Sequence, residues 1–567
     1  MKIMSSKNIS SPLPDAPTTM QDKNISNRNA PVQPPSGRSK KTDQLSPFWR
    51  DRLFEIGLIV SMVLYYVVGN PHIPLGVPAP ITNLNPLFSL PFLLLFAVLC
   101  WYRLPFAVAL LPLSLPFYLM PKLIFSSYNF SLAEITLGIC LIVAMLQLIV
   151  QRRSWPYRLS WAELRDRLGP FLYPILVFLV FAALSIVVAY AQKSASRAFR
   201  EEVFDPLLYL GLVLFCLRSR QDLFRLLASL VGAGLVVAIL GIGQYLLFKN
   251  SLPLEADGIR RVHAVYGSAN SIGLLLDYVF PLVLACVVAK VSWRSRLVAL
   301  ALCVPLLGVL YLSQSHGAQL AIALAALFII AFSIRNRKYL FIAGVLALIV
   351  LSLSLAFFRV RIFNYLEGHV NDQGISTVSK RLYLWQSALN MIHDSPWLGY
   401  GMDNWLCHYS ENQVCPSDVH HYWILTDPKT GRSTGLVYEP DLSHPHNIFL
   451  GVWVSIGVFG LLAFVAVLIL FYWLFARILL YLSAHPVQQS ELLRWITIGI
   501  GAAMVAAVAQ GLGDSSFLEQ DLAFCFWTLV ALLLLVRVLV GISWRSAALS
   551  RSLNERIAGE RRVRYGA

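Results

Sequence analysis

Residues 447–475 read NIFLGVWVSIGVFGLLAFVAVLILFYWLF and contain no charged side chain. A helix needs about 20 apolar residues to cross a hydrocarbon core roughly 30 Å thick, so this stretch is long enough to span a membrane. Similar runs recur along the chain, in which 57% of 567 residues are hydrophobic and 13% are charged. Soluble domains carry about 25% charged residues. The sequence therefore predicts an all-α polytopic membrane protein.

Fourteen apolar runs are candidates for membrane-spanning helices, and the expected number of spans is 12–14 because several runs are short. The second and third could together form one re-entrant hairpin. The runs lie near 54–69, 86–100, 104–120, 131–150, 171–190, 203–217, 222–248, 267–289, 297–312, 317–334, 339–358, 447–475, 494–511 and 521–540.

The positive charges indicate how these spans are oriented. With both termini in the cytoplasm, 33 of the 46 Lys and Arg residues fall on the cytoplasmic side. This is the asymmetry that the positive-inside rule requires. The net charge of +16 is then an orientation signal, and binding of nucleic acid is not needed to explain it. The long loop is accordingly expected on the external side of the membrane.

Composition divides the chain into five parts. Residues 1–50 are rich in Ser, Asn, Pro and Lys and are expected to form a disordered cytoplasmic tail. The membrane bundle begins at 51–358 with eleven spans and ends at 447–541 with three. Between them lies an external loop, 359–446, and a basic cytoplasmic tail follows at 542–567.

Several cations break the charge rule by lying on the external side. Arg200 follows one span, Arg260 and Arg261 precede another, and Arg381 lies in the long loop. Each could pair with a nearby carboxylate or a lipid phosphate. Alternatively, the four could converge on an anionic substrate outside the membrane.

The external loop contains a predicted amphipathic helix. Leu382, Trp385, Leu389 and Ile392 follow helical spacing, and Pro396 ends the pattern. This helix is expected to lie on the membrane surface or against the bundle by its apolar side. Packing alone would explain Trp385, although its indole could also stack on a sugar.

A glycine turn follows this helix. Gly399 and Gly401 allow a tight turn, from which Asn404 and Trp405 could contact a glycan or an acceptor. Further on, Cys407 and Cys415 are separated by polar residues, and they could form a disulfide or remain free thiols.

No metal is predicted, since the adjacent His420 and His421 lack a third ligand at helical spacing. His444 and His446 stand where the external loop enters the apolar run at 447. An imidazole with a pKa of about 6.5 can accept a proton near neutral pH. The alternative is that His446 or Asn447 only caps the helix.

Three motifs resemble the O-antigen ligase and polymerase family, which includes oligosaccharyltransferases that glycosylate pilins. They are Arg381-x-x-x-Trp385, the turn Pro396-Trp-Leu-Gly-Tyr-Gly-Met-Asp-Asn-Trp405, and His444-Pro-His-Asn-Ile-Phe-Leu450 followed by Gly457-Val-Phe-Gly460. The segment Arg260 to Gly273 and Ser315-His-Gly-Ala318 are also similar to family segments, but His316 stands where relatives often have Arg. The resemblance covers about residues 200–540.

The resemblance implies a GT-C-like bundle that transfers a glycan from a polyprenyl (undecaprenyl) diphosphate carrier to an acceptor hydroxyl. The reaction would be inverting, without metal, cofactor or nucleotide sugar, on the external face. His446 would act as the base, with His444 orienting or replacing it. Arg381 and Arg261, then Arg260 and Arg200, would stabilise the diphosphate. Asp514 could bind acceptor hydroxyls or cap a helix.

Ligase and polymerase activities share this chemistry, so the sequence does not separate them. The acceptor could be a lipid, a glycan or a protein. An alternative is a transporter or flippase of lipid-linked sugar. That activity would need polar residues in the middle of the membrane, and the spans contain few.

Overall fold

A computed structural model describes residues 47–71, 79–125, 128–150, 161–252, 260–333, 377–409, 415, 419–422, 443–485, 488–542 and 544. Contacts divide the chain into residues 1–50 and residues 51–567, and the second unit is the helical bundle. The predicted N-terminal tail before Pro47, the span predicted at 339–358 and nearly all of the C-terminal tail lie outside the described residues.

The described chain is almost entirely helical, which confirms the predicted class. The α-helices of the described residues, numbered α1 to α18 in chain order, are Pro47–Val67, Ala79–Thr82, Leu90–Tyr102, Leu104–Leu110, Leu132–Val150, Trp161–Leu168, Leu172–Val188, Gln192–Ala198, Asp205–Cys216, Arg220–Phe248, Ala269–Val288, Trp293–Ser313, His316–Ser333, Thr377–Asp394, Trp405–Tyr409, Ile448–Ala484, Gln488–Gly511 and Gln520–Val540.

Shorter 3-10 turns lie at Pro86–Ser89, Leu111–Phe117, Gly169–Phe171 and Lys249–Ser251, and a π-helical turn lies at Phe199–Phe204. A single antiparallel hairpin within the described residues pairs β1, Lys122–Phe125, with β2, Tyr128–Phe130.

Nine helical stretches of the described chain are long and apolar enough to cross a membrane, and a bent pair would make ten. The nine are Leu132–Val150, Trp161–Val188, Arg220–Phe248, Ala269–Val288, Trp293–Ser313, His316–Ser333, Ile448–Ala484, Glu491–Gly511 and Gln520–Val540. The protein is therefore a multi-pass membrane protein.

This number is lower than the 12–14 spans that the sequence predicts. One predicted span lies outside the described residues. The run near 203–217 forms only the 12-residue helix α9, which follows a π-helical turn. The run near 54–69 lies in α1, whose first turns carry Arg50, Asp51, Arg52 and Glu55.

The second and third predicted runs form the bent pair, Pro86–Tyr102 and Leu104–Phe117, with a bend of 120° at the break. Arg103 lies at the break with φ −142° and ψ 57°, outside the helical region. Pro105 follows at the start of the next helix, where the proline ring restricts the preceding residue to extended conformations. This bend agrees with the re-entrant hairpin, which is one of the two alternatives that the sequence allows for these runs.

The interior of the bundle is built around α18. Its residues from Gln520 to Arg537 are all buried, and 83% of its most apolar window lies inside the protein. Outward-facing positions on other helices carry large apolar side chains, such as Val187, which is 71% exposed. Apolar side chains on the outside of a helical bundle are expected where lipid replaces water. The bundle therefore has a buried central helix and an apolar exterior, as expected of a protein that spans a membrane.

Candidate active site

The long helix α16 begins directly after the two histidines. Asn447 is its N-cap, and its side-chain oxygen accepts hydrogen bonds from the backbone N–H groups of Phe449 and Leu450 at 3.0 and 3.1 Å. A side-chain acceptor at this position satisfies N–H groups that have no partner within the helix. Asn447, and not His446, is therefore the residue that caps α16.

His446 has a φ of 51°, in the left-handed region that non-glycine residues rarely adopt. Its ring nitrogen Nδ1 lies 2.8 Å from Oδ1 of Asp514. Nε2 of His444 lies 3.5 Å from the same oxygen, and the two imidazoles meet edge to face with centroids 4.8 Å apart. We call these three side chains the histidine–aspartate group.

Asp514 is 5% exposed and lies in the turn between α17 and α18. Its Oδ1 also accepts a hydrogen bond from the backbone N–H of Ser515 at 2.9 Å. Burial alone would raise the pKa of the Asp514 carboxyl, but the two imidazoles hold that pKa well below its ordinary value. Asp514 is therefore an anion, and Nδ1–H of His446 is placed to donate a hydrogen bond to it.

Arg381 reaches the same turn from α14. A Cβ atom built on Gly513 would lie 3.1 Å from Nη1 of Arg381, so the guanidinium group lies directly beside the residue that precedes Asp514. Nε of Arg381 is buried without a hydrogen-bond partner among the described residues. Asn447 adds a further connection, because its side-chain amide donates to the carbonyl of Leu512 at 3.1 Å.

Trp385 lies one helical turn after Arg381 on α14. Its indole Nε1 donates to the backbone carbonyl of His446 at 3.2 Å. The indole therefore holds the turn that carries His446, and stacking on a sugar is not needed to explain this residue.

The predicted amphipathic helix is present as α14, but its buried face differs from the predicted one. Leu384, Ala388 and Met391 are fully buried with Ile392, against Trp405, Tyr409 and Val454. Leu382 and Leu389, by contrast, are 46% and 48% exposed. Two overlapping stripes of apolar residues run along this helix, and the stripe that contains the small Ala388 packs against the protein.

The turn after α14 fits into a break in α16. Gly457 has a φ of 82°, which interrupts the helix. The carbonyl of Val454 consequently accepts from the N–H of Tyr400 at 2.7 Å, and the N–H of Val458 donates to the carbonyl of Pro396 at 3.0 Å. The loop thus replaces the helical hydrogen bonds that the break removes and fixes α14 next to α16.

The glycines of this turn are required by close backbone contacts. A Cβ on Gly399 would lie 2.3 Å from the carbonyl oxygen of Val454, and one on Gly401 would lie 2.4 Å from Cβ of Ala189. Both glycines also have positive φ angles, 69° and 93°. The predicted tight turn is therefore correct, and it joins the loop to the end of α7 as well as to α16.

The predicted contacts of Asn404 and Trp405 with a glycan are not available in this structure. Asn404 is fully buried, accepting from the N–H of Ala191 at 2.7 Å and donating to the carbonyl of Met402 at 2.7 Å. Trp405 is 4% exposed and stacks on Tyr409. Both side chains stabilise the loop instead.

Two of the predicted diphosphate ligands are engaged elsewhere. Arg200 forms ion pairs of 2.8 Å with Glu134 and with Glu201. Arg260 donates to the carbonyls of Asn250 and Leu252 at 2.7 Å. Arg200 therefore follows the alternative in which it pairs with a nearby carboxylate, and Arg260 makes a local loop contact. Neither observation supports the predicted binding of a diphosphate. Arg261 is half-buried beside Val262, whose N–H donates to the carbonyl of Leu312 at 3.3 Å.

Cys407 and Cys415 form a disulfide in the structure, with their Cα atoms 5.2 Å apart. Of the alternatives that the sequence leaves open, the structure therefore contains the bonded form. Cys407 belongs to the short helix α15, where its side chain is buried.

Sequence reasoning gave Asp514 only acceptor or capping roles. Its position 68 residues after His446 carries no spacing signal, so only the fold brings the two together. Two tyrosines were also missed: Tyr118 donates to Glu519 and Tyr266 donates to Asp521, each at 3.0 Å. Burial, followed by the charge of Asp521, raises the pKa of Glu519 to about 7.

A metal ion is conceivable at one place in the described chain. The donor atoms of His444, His446 and Asp514 all lie within 4.8 Å of one another. The hydrogen bond between His446 and Asp514 already accounts for the arrangement, and the predicted absence of a metal stays a prediction.

The fold and site define a class: a multi-pass helical membrane protein whose loop brings an imidazole, a carboxylate and a guanidinium group to one turn. Residues 298–465 match the family model described as O-Antigen ligase. This match confirms the resemblance recognised in the sequence and supports glycan transfer of the ligase or polymerase type. No curated protein matches the chain significantly.

Proposed function

We propose that the protein transfers a glycan from a polyprenyl diphosphate carrier to an acceptor hydroxyl on the external face of the bacterial cytoplasmic membrane. The observation that carries this proposal is the 2.8 Å contact between His446 and Asp514, with Arg381 beside Gly513 at the same turn. An imidazole and a guanidinium group therefore lie near one turn, which supports the proposed roles of base and phosphate ligand.

The chemistry needs a base on one side of the anomeric carbon and stabilisation of the diphosphate on the other. Nε2 of His446 removes the proton from the acceptor hydroxyl, whose oxygen bonds to the anomeric carbon as the bond to the diphosphate oxygen breaks. Attack opposite the leaving group inverts the anomeric configuration. Asp514 holds the ring and stabilises the imidazolium, as a carboxylate does in other His–Asp pairs.

Arg381 is the proposed ligand of the leaving diphosphate. Its guanidinium group presents several N–H donors in the planar arrangement that suits phosphate oxygens. Nε of Arg381 is buried without a hydrogen-bond partner among the described residues, so a donor is available for this purpose. Arg261 remains a proposed second ligand from the segment before α11.

The test uses the full chain in proteoliposomes with a polyprenyl-diphosphate glycan and a panel of lipid, glycan and protein acceptors. Loss of a general base lowers turnover by about 10²–10⁴-fold, and this is the expected effect of His446→Ala. Arg381→Ala should lower it by roughly 10²–10³-fold, as removal of a preorganised donor does.

The matched control is His393→Ala, because His393 lies on the same helix as Arg381 but its side chain is 88% exposed. This variant should retain parental transfer. Unchanged transfer by His446→Ala would contradict the mechanism. The acceptor that receives glycan distinguishes a ligase from a polymerase.

One observation favours the transporter or flippase alternative. Asp277 lies within α11, is fully buried, and has both carboxylate oxygens without a hydrogen-bond partner among the described residues. Ionisable residues inside a membrane often mark a transport pathway. Movement of the lipid-linked glycan across sealed vesicles without transfer to any acceptor, and its loss in Asp277→Asn, would support that alternative.

A further inference from the structure

The histidine–aspartate group has a feature that proton transfer alone does not use. Nε2 of His444 is buried and makes no hydrogen bond within the described residues, although Oδ1 of Asp514 is only 3.5 Å away. Nδ1 of the same ring lies 3.1 Å from the hydroxyl of Ser443. In a metal-binding histidine, one ring nitrogen is the ligand and the other usually makes a hydrogen bond that orients the imidazole.

The donor atoms come from two separate segments that the fold holds together. Two histidines belong to the turn before α16, whereas Asp514 belongs to the turn between α17 and α18. All three donor atoms lie within 4.8 Å of one another. In a tetrahedral zinc site with bonds of about 2.0–2.1 Å, neighbouring ligand atoms lie roughly 3.3–3.4 Å apart.

The two separations that involve Asp514 are close to this requirement. Nε2 of His444 is 3.5 Å from Oδ1 of Asp514, and Nδ1 of His446 is 2.8 Å from it, so a small outward movement of one ring would admit an ion. Two imidazoles and one carboxylate suit zinc and its neighbours among the transition metals better than they suit magnesium. A fourth position would stay open to water.

We propose that His444, His446 and Asp514 bind a divalent transition metal, with zinc as the representative ion, and that this metal inhibits glycan transfer. The inhibition rests on the proposed function, whereas the binding does not. A metal on Nδ1 of His446 replaces the hydrogen bond to Asp514 that supports the base. Metal occupancy and proton acceptance by His446 therefore compete, and the metal is an inhibitor and not a cofactor.

Binding is measured on the purified full chain, with its affinity tag removed and bound metals stripped by a chelator. Titration with Co²⁺ gives visible absorption that reports its coordination, and Zn²⁺ should displace it at one ion per chain. Loss of a ligand in His444→Gln or Asp514→Asn should weaken binding by about tenfold or more, the range in which even supporting residues act.

His393→Gln is the matched control, since His393 is exposed and should leave binding unchanged. Thermal unfolding without metal shows whether each variant is folded. Absence of stoichiometric binding by the parent, or equal binding by a folded His444→Gln variant, would overturn the site.

The second measurement is transfer by the parent in the presence of zinc. At a zinc concentration ten times the dissociation constant, about a tenfold loss of transfer is expected from simple occupancy, and a chelator should restore it. Faster transfer with bound zinc would overturn the inhibition. A parent that binds Co²⁺ at this site but transfers no glycan would contradict the proposed function while supporting the metal site.

Discussion

The indole Nε1 of Trp385 lies 3.2 Å from the backbone oxygen of His446 and donates a hydrogen bond to it. This contact joins the external helix α14 to the turn in which His446 adopts a φ of 51°. The indole of Trp385 therefore holds the backbone of His446, the proposed base. Arg381 precedes Trp385 by one helical turn on α14. The same contact therefore also positions Arg381, the proposed phosphate ligand, relative to His446, the proposed base.

Trp385→Phe should lower turnover by about tenfold while leaving the fold intact. The phenyl ring keeps most of the packing, but the hydrogen bond is lost, and a single hydrogen bond contributes about 1 kcal/mol. Small displacements of a catalytic group have larger effects on rate than on stability. The measurement is steady-state transfer together with thermal unfolding. A variant with parental turnover would show that the indole does not position His446.

Asp514→Asn should reduce turnover by about two to four orders of magnitude, comparable to loss of the base itself. The amide has nearly the same shape, but it carries no charge to stabilise an imidazolium, and its NH₂ group can favour the wrong tautomer of His446. The effect should appear in kcat more than in KM for the donor. A rise in KM as large as the fall in kcat would instead indicate that Asp514 binds substrate.

Some of these features could be predicted from the sequence, because local patterns encode them. The apolar runs, the glycine turn at Gly399 and Gly401, and the helix that carries Arg381 are all local. The partnership of His446 with Asp514 depends on how α16 and α17 pack, and no periodicity reports it. The ion pair between Arg200 and Glu134 is also a tertiary contact. The positions of charges along the sequence therefore could not show that Arg200 pairs with Glu134.

Gly457→Ala should destabilise the protein by roughly 2–4 kcal/mol and impair transfer. Gly457 has a φ of 82°, and a Cβ there would lie 2.0 Å from the carbonyl oxygen of Trp397. A left-handed conformation alone costs an L-residue roughly 1–2 kcal/mol, and the clash with backbone adds to this. The measurement is unfolding of the detergent-solubilised protein.

The control for this substitution is Gly243→Ala on α10, where a Cβ would meet no atom within 4 Å. Alanine should be neutral there or stabilise the helix by about 0.5–1 kcal/mol. Equal stability of the two variants would contradict the idea that the loop fits into the break of α16.

Glu519→Gln should change how stability depends on pH. Burial, then the charge of Asp521, raises the pKa of Glu519 from its ordinary 4.5 to about 7. The folded protein therefore keeps a proton that the unfolded chain has lost between these values, and stability falls as the pH rises through this window. Glutamine cannot ionise, so the variant should unfold at a higher temperature than the parent above pH 7, and the difference should vanish below pH 4.5.

Tyr118→Phe provides the matched comparison for Glu519. The hydroxyl of Tyr118 donates to Oε2 of Glu519 at 3.0 Å, and this hydrogen bond lowers the pKa of the carboxyl. Removing the hydroxyl should therefore raise that pKa further and make the loss of stability at high pH larger, opposite to the effect of glutamine. Parallel pH–stability curves for the parent, Glu519→Gln and Tyr118→Phe would show that Glu519 does not titrate in this range, and that its buried position beside Asp521 is compensated by other groups.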